Sequence, residues 1–136
     1  MREIFNYEKG AWYPHMSQAD KAIWERFIDQ KPEAFISCQY DFHVGDAPPF
    51  NTLDDDGTDR NQDMLYRKRI DVVGHIDNAV YIIELKPNAG MATVGQVKGY
   101  KMLYDDEKWS DKQTIPMIIT DAMSTDTQRY CEREGV

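Results

Sequence analysis

The chain has 136 residues, of which 24 are acidic and 16 are basic, so its formal net charge is −8. This length suffices for one domain with its own hydrophobic core. No apolar run is long enough to cross a membrane, and the charged N-terminus does not fit a signal peptide. Two cysteines, Cys38 and Cys131, are too few for a zinc site or a disulfide framework, so a reduced, cytoplasmic setting is expected.

The first part of the chain predicts an aromatic arm, a helix and a strand. Residues 1–16 form an aromatic N-terminal arm with turn signals, which is expected to pack on the domain or on a neighbouring molecule. A capping box at Ser17 to Asp20 predicts a helix that runs to about Gln30. Residues 34–44 predict a strand with residues 36, 38, 40 and 42 on one face.

Residues 45–64 hold most of the acidic residues, with prolines and a glycine, and show little periodicity. They predict a long acidic loop that serves as a lid or a contact surface. The run Asp54-Asp55-Asp56-Gly57 lacks the spacing and the final glutamate of an EF-hand, so a calcium loop is rejected. The acidic balance of the chain argues against a tight, non-specific DNA binder, because such proteins normally carry a basic face.

Two β-branched and aromatic runs, residues 69–76 and 79–86, flank Asp77-Asn78 and predict a β-hairpin. A two-residue turn makes the numbers of facing residues sum to 155, which places Asp71 opposite Glu84. Alternation of side chains then puts Lys86 on the same face. A four-residue loop keeps this register, whereas a three-residue loop breaks it.

Two facing carboxylates repel each other, so the predicted pair needs a neutralising group. A hard divalent cation such as Mg²⁺ takes oxygen ligands of this kind, and Lys86 adds a positive charge nearby. The alternative is that all three charged residues lie on an exposed polar face. Val73, Val80 and Ile82 share that face, however, which favours burial of the carboxylates and therefore a metal site.

The remaining residues predict a helix, a strand and a helix. Residues 87–90 are expected to end the hairpin strand, and a helix from about Ala92 places Gln96, Tyr100 and Leu103 on the flank that faces the sheet. Residues 115–120 predict a buried strand, and Ser124 or Thr125 caps a last helix that ends at Gly135. The order helix, strand, strand, strand, helix, strand, helix predicts an α/β (α+β) fold with a mixed sheet.

Asp71 and the later triplet Glu84-Leu85-Lys86 resemble the bipartite motif of the PD-(D/E)xK nuclease superfamily. Gln96 and Tyr100, within Gly-Gln-Val-Lys-Gly-Tyr, resemble the Gln-xxx-Tyr extension of RecB-like nucleases, type I restriction motor subunits and NucS-type mismatch endonucleases. Ile70 stands where the motif has proline, a common substitution in the superfamily. The resemblance spans residues 70–100 and implies a single domain, residues 1–136, with a restriction-endonuclease-like αβββαβα core.

By this resemblance the chain is expected to be a metal-dependent nuclease that hydrolyses phosphodiester bonds in DNA. Asp71, Glu84 and the Leu85 carbonyl would hold Mg²⁺ or Mn²⁺, and Lys86 would assist the attack of water. Gln96 and Tyr100 would support the site or hold the DNA backbone.

Many members of the superfamily also carry a metal-binding acidic residue on the first helix. Glu25 lies opposite the apolar stripe of that helix, and a capping role already accounts for Asp20. Neither residue is therefore expected to bind metal here.

A second hypothesis is a catalytically silent module of the same fold, within a viral (phage) particle or a larger complex, in the host cytoplasm or the virion. The acidic balance and the aromatic arm favour it, whereas the intact Asp71, Glu84 and Lys86 disfavour it. A third is an active nuclease that works as a subunit. The arm and the acidic loop are the surfaces expected to contact a second copy or a protein partner. DNA against RNA, and endo- against exonuclease action, stay open.

Overall fold

The computed structural model describes residues 2–10, 12–45 and 68–136. Within these ranges the chain forms a five-stranded mixed sheet and three helices, which confirms the predicted α/β class and the predicted order of elements. An additional short strand precedes them. In chain order the elements are β1 (Phe5–Asn6), α1 (Gln18–Gln30), β2 (Ser37–Val44), β3 (Lys68–His75), β4 (Ala79–Ala89), α2 (Met91–Asp106), β5 (Gln113–Met123) and α3 (Thr125–Glu134).

The strands lie side by side in chain order, from β1 at one edge to β5 at the other. Neighbours from β1 to β4 are antiparallel, while β4 and β5 are parallel and are joined through α2. Trp24 of α1 packs in a cluster with Val72 and Ile83 on one face of the sheet. Val97 of α2 packs with Ile82 in a cluster on the other face, so the sheet lies between two helical layers.

The hairpin has the predicted register. The Ile76 N–H donates to the Ala79 carbonyl at 3.1 Å across the two-residue turn. The paired residues run from His75 with Val80 to Val72 with Ile83, and each pair keeps the predicted sum. The pairing stops there, and the next residues along the two strands are Asp71 and Glu84.

The helix ends follow the predicted caps. The Ser17 hydroxyl accepts the Asp20 N–H at 3.1 Å and starts α1, and Ser124 caps α3 in the same way. Gly135 ends α3 with a left-handed φ of 73°, a conformation that glycine adopts without strain. No helix in the described ranges is both long and apolar enough to cross a membrane.

The N-terminal arm packs on the domain, which is one of the two alternatives predicted for it. Phe5 pairs with Cys38 of β2, and Tyr7 and Tyr13 are buried in the core beside α1. The strand β1 escapes prediction because a two-residue strand carries no periodicity. The acidic loop predicted for residues 45–64 lies, apart from Gly45, outside the described residues.

Two predictions for the strands around α2 are wrong. β4 does not end at Pro87 but continues to Ala89, paired with β5. β3 does not pair with β4 beyond Ile83. Pro87 has no N–H to donate, and on that side of β4 there is no β3 residue that would need it. The segment 115–120 is also not fully buried, because β5 forms an edge of the described sheet and most of its side chains are half-buried.

The predicted alternation of β2 fails at Asp41. Cys38 and Tyr40 pack on the α1 face, but Phe42 packs on the α2 face. Asp41 has a φ of 50°, a left-handed conformation that is unfavourable for a residue with a side chain. This local distortion turns the strand, so that residues two apart no longer share a face.

Gly74 allows a close approach that an alanine would obstruct. A Cβ at this position would lie 2.7 Å from the ring of Phe35. We expect Gly74→Ala to lower the free energy of unfolding in urea by about 1–3 kcal/mol, since overpacked cores lose this much. Gly99→Ala is the matched control, because its Cβ meets nothing within 4 Å and the helix should gain about 0.5–1 kcal/mol. Equal stability of the Gly74 variant and the parent would contradict the predicted clash.

Candidate functional site

Asp71 and Glu84 meet where the pairing of β3 and β4 ends. The Leu85 N–H donates to Oδ2 of Asp71 at 2.9 Å, so the carboxylate takes a backbone donor just past the last residue pair of β3 and β4. Asp71 is half-buried, and Glu84 has only 6% of its surface exposed. Each carboxyl group shifts the pKa of the other, so the predicted pair is brought together.

Glu84 carries an unsatisfied buried oxygen. Among the described residues, its Oε1 is the one buried side-chain oxygen or nitrogen without a hydrogen-bond partner. An unsatisfied buried polar atom costs about 1–3 kcal/mol, and native proteins rarely keep one without a reason. The arrangement is therefore suited to a ligand that accepts electron pairs from oxygen.

The pKa values of both carboxyl groups are raised. Burial is the main cause for each, because it removes water from the charged form. The charge of Asp71 raises the pKa of Glu84 further, whereas the Leu85 N–H opposes the rise in the pKa of Asp71. Without a bound cation Glu84 is therefore the group that holds a proton more tightly.

Asp20, for which the sequence predicted only a capping role, also acts electrostatically on the pair. Its cap to Ser17 uses the backbone N–H, so the capping role does not account for its carboxylate. The negative charge of Asp20 raises the pKa of both Asp71 and Glu84, so Asp20 lies within electrostatic reach of the pair. The available signal was its position on the apolar stripe of α1, the side that faces the sheet.

Asp41 also lies beside the pair, opposite Asp71 in the register of β2 and β3. It is 6% exposed, and its carboxylate lies 3.3 Å from Nε2 of His43 and 3.7 Å from Nε of Arg69. Asp41 and Asp71 both line a cavity of about 10 Å³, close to the least volume that holds one water molecule. The left-handed φ of 50° at Asp41 is a form of backbone strain, and such strain concentrates at functional sites.

The other predicted site residues differ in how exposed they are. Lys86 is exposed, two residues beyond Glu84. Gln96 is exposed rather than turned to the sheet, and its amide donates to the Tyr100 hydroxyl at 2.8 Å. Burial raises the pKa of Tyr100, and the charges of Glu84 and Asp71 add to this, so Tyr100 lies within their electrostatic reach.

A cleft of about 460 Å³ follows α2 past Gln96 and Tyr100. Gly95, Gly99 and Lys68 also line it. The lysines of α2 itself do not contribute free charge, because Lys98 pairs with Glu134 at 2.6 Å and Lys101 with Asp105 at 2.8 Å. Both lysines are thus engaged by carboxylates.

The residues present fit a hard divalent cation with few protein ligands. No group of three or more His, Cys, Asp or Glu side chains is arranged to hold a metal ion in the described ranges. Mg²⁺ needs only one or two carboxylates, since it keeps several waters. Asp71 and the unsatisfied oxygen of Glu84 meet that requirement, and a backbone carbonyl such as that of Leu85 is a donor of the same class.

The interpretation of this site rests on its residues and their geometry. Comparisons with protein-family models, with curated proteins and with solved structures found no significant match for this chain.

Proposed function

We propose that the chain is a metal-dependent nuclease that hydrolyses phosphodiester bonds in DNA, with a restriction-endonuclease-like PD-(D/E)xK fold. The observation that carries the proposal is the unsatisfied Oε1 of Glu84 beside Asp71. An isolated pair of buried acids is unfavourable, and a divalent cation would remove both the repulsion and the missing contact. The resemblance of Asp71, Glu84-Leu85-Lys86, Gln96 and Tyr100 to the superfamily motif points to the same chemistry.

In this proposal Asp71, Glu84 and the Leu85 carbonyl hold Mg²⁺ or Mn²⁺. The bound ion would supply polarisation of the phosphate and acidification of a water molecule. Asp20 adds negative charge beside the pair and strengthens its attraction for a cation.

Lys86 is assigned to the reacting groups rather than to the ion. Its side chain is exposed and makes no ion pair within the described residues, so it is free to contact water or phosphate. It would position the attacking water or stabilise charge on the phosphate. The hydrogen bond from Gln96 orients the Tyr100 hydroxyl, which would hold the DNA backbone next to the carboxylates.

The direct test is a cleavage assay on single-stranded DNA, duplex DNA and RNA with Mg²⁺, with Mn²⁺ and with a chelator. We expect cleavage of DNA with either ion and none with the chelator. Thermal melts should show stabilisation by the ion, about 2.7 kcal/mol at 100 times its Kd. A protein that cuts no substrate and shows no metal-induced shift would contradict the proposal.

The second candidate is the catalytically silent module. The observation that favours it is that the described residues lack a three-ligand metal cluster, so the pair would be a remnant of a site. The two candidates differ in the same melts, because a remnant gains no stability from Mg²⁺ or Mn²⁺. Metal-induced stabilisation together with DNA cleavage favours the nuclease.

A further inference from the structure

A second cleft, of about 260 Å³, lies at the turn end of the hairpin. It is distinct from the carboxylate pair, since none of the proposed metal ligands lines it. Its lining contains three basic side chains and no acidic one, in a protein of net charge −8. The basic residues are Arg2, His75 and Lys112, and the aromatic ones are Phe42, Tyr104 and Trp109.

Neutral groups hold the two permanent cations of this cleft. The Arg2 guanidinium lies 4.1 Å from the ring centre of Trp109 and donates to the His43 carbonyl at 3.4 Å. The Lys112 ammonium donates to the Ile76 carbonyl at 3.1 Å. Neither has an ion-pair partner in the part of the chain that the structure describes. By contrast, five other basic side chains pair with carboxylates: Lys9, Arg26, Arg69, Lys98 and Lys101.

Trp109 presents a partly exposed aromatic ring with the Arg2 guanidinium over one of its faces, so a base would stack on the other face. Its indole is 41% exposed, and the ring N–H donates to Oε1 of Glu107 at 2.9 Å, which restrains its orientation. The edge of the ring packs against Phe42 at a centroid distance of 5.3 Å. An oriented indole flanked by cations is the combination that holds single strands, because bases stack on the ring and phosphates meet the charges.

Anchoring of the N-terminal arm uses only part of the hydrogen-bonding capacity of the Arg2 side chain. The arm is held here through its backbone, since the Gln39 amide donates to the Arg2 carbonyl at 2.9 Å. Gln39 in turn contacts Nε2 of His75 at 2.6 Å. The guanidinium itself donates one hydrogen bond, to the His43 carbonyl, so most of its five N–H donors are left for a ligand.

We propose that this cleft binds a single-stranded segment of nucleic acid, with a base on Trp109 and phosphates on Arg2 and Lys112. This inference rests on the proposed function, because the segment would be part of the substrate. Binding itself needs no catalysis. An acidic peptide would meet the two charges but would leave the exposed indole without a planar partner. In a duplex the bases stack on one another and are not available to the ring.

The test measures binding of a fluorescently labelled oligothymidylate by anisotropy, in chelator so that cleavage cannot interfere. We expect Trp109→Leu to weaken binding about 5- to 100-fold, the usual effect of losing one stacked base. Lys112→Gln should weaken binding and reduce the slope of log K against log salt by about 0.7. The matched controls are Trp12→Leu, at a more exposed indole outside the cleft, and Lys108→Gln, and both should bind like the parent.

Thermal melts show whether each variant is folded, and Lys112→Gln keeps the proposal testable should Trp109→Leu fail to fold. Parental affinity and salt dependence in folded variants of both residues would overturn the proposal, as would absence of oligonucleotide binding by the parent. Binding of an acidic peptide but not of the oligonucleotide would assign the cleft to a protein partner instead. Cleft-dependent oligonucleotide binding without any metal-dependent cleavage would support this inference while contradicting the nuclease assignment.

Discussion

Replacement of Lys86 by alanine should reduce DNA hydrolysis about 10²–10³-fold while leaving metal binding largely intact. The reason is a division of roles: Asp71 and Glu84 hold the ion, whereas Lys86 acts on water or on charge that develops in the transition state. Loss of one preorganised electrostatic contact typically has an effect of this size. Initial cleavage rates with saturating Mn²⁺ or Mg²⁺ measure it, and metal-induced shifts in Tm report binding separately.

Gln96→Ala is the graded comparison for Lys86→Ala. Gln96 is exposed on α2 and is linked to the site through its hydrogen bond to Tyr100. Its loss should therefore reduce the cleavage rate less than the loss of Lys86. Parental cleavage by Lys86→Ala would remove that residue from the mechanism. Loss of the metal-induced Tm shift in the same variant would instead show that Lys86 supports the metal site.

Glu84→Gln should stabilise the metal-free protein by roughly 1–3 kcal/mol at neutral and alkaline pH and abolish its stabilisation by Mg²⁺ or Mn²⁺. The amide has no charge to lose water on burial, and it can donate to Asp71. It is also a much poorer ligand for a hard cation than a carboxylate. Urea unfolding of parent and variant, each with and without metal, measures both effects.

The same variant should flatten the dependence of stability on pH. Because burial raises the pKa of Glu84 and of Asp71, the folded protein binds more protons than the unfolded chain between the ordinary carboxyl pKa and the raised values. Metal-free parent protein should therefore lose stability as pH rises through that window and keep it at the acidic end. Glu84→Gln removes the larger contribution to this loss.

Glu132→Gln, at an exposed position on α3, is the control for the change of one carboxylate to an amide. It should leave both the pH dependence and the metal-induced shift as in the parent. A Glu84→Gln protein that still gains as much stability from metal as the parent would place the ion elsewhere. A parent whose stability rises with pH across the same window would contradict the raised pKa values.

Interactions close in sequence could be predicted from the residues alone. The two-residue turn sets the register of the hairpin, and with it the meeting of Asp71 and Glu84, because side chains alternate strictly along paired strands. Ser17 and Ser124 mark the starts of α1 and α3, since each hydroxyl satisfies a backbone donor three residues away. The mixed α/β class follows from the order of these local elements.

Contacts between distant segments were decided only by the tertiary structure. Asp20 lies within electrostatic reach of the carboxylate pair because α1 packs against β4, and no local pattern encodes that packing. The turn of β2 at Asp41 depends on strained backbone that its neighbours hold in place. Arg2 meets Trp109 because β1 closes one edge of the sheet beside the end of α2. Such contacts depend on how whole layers pack, whereas turns and caps depend on hydrogen bonds within a few residues.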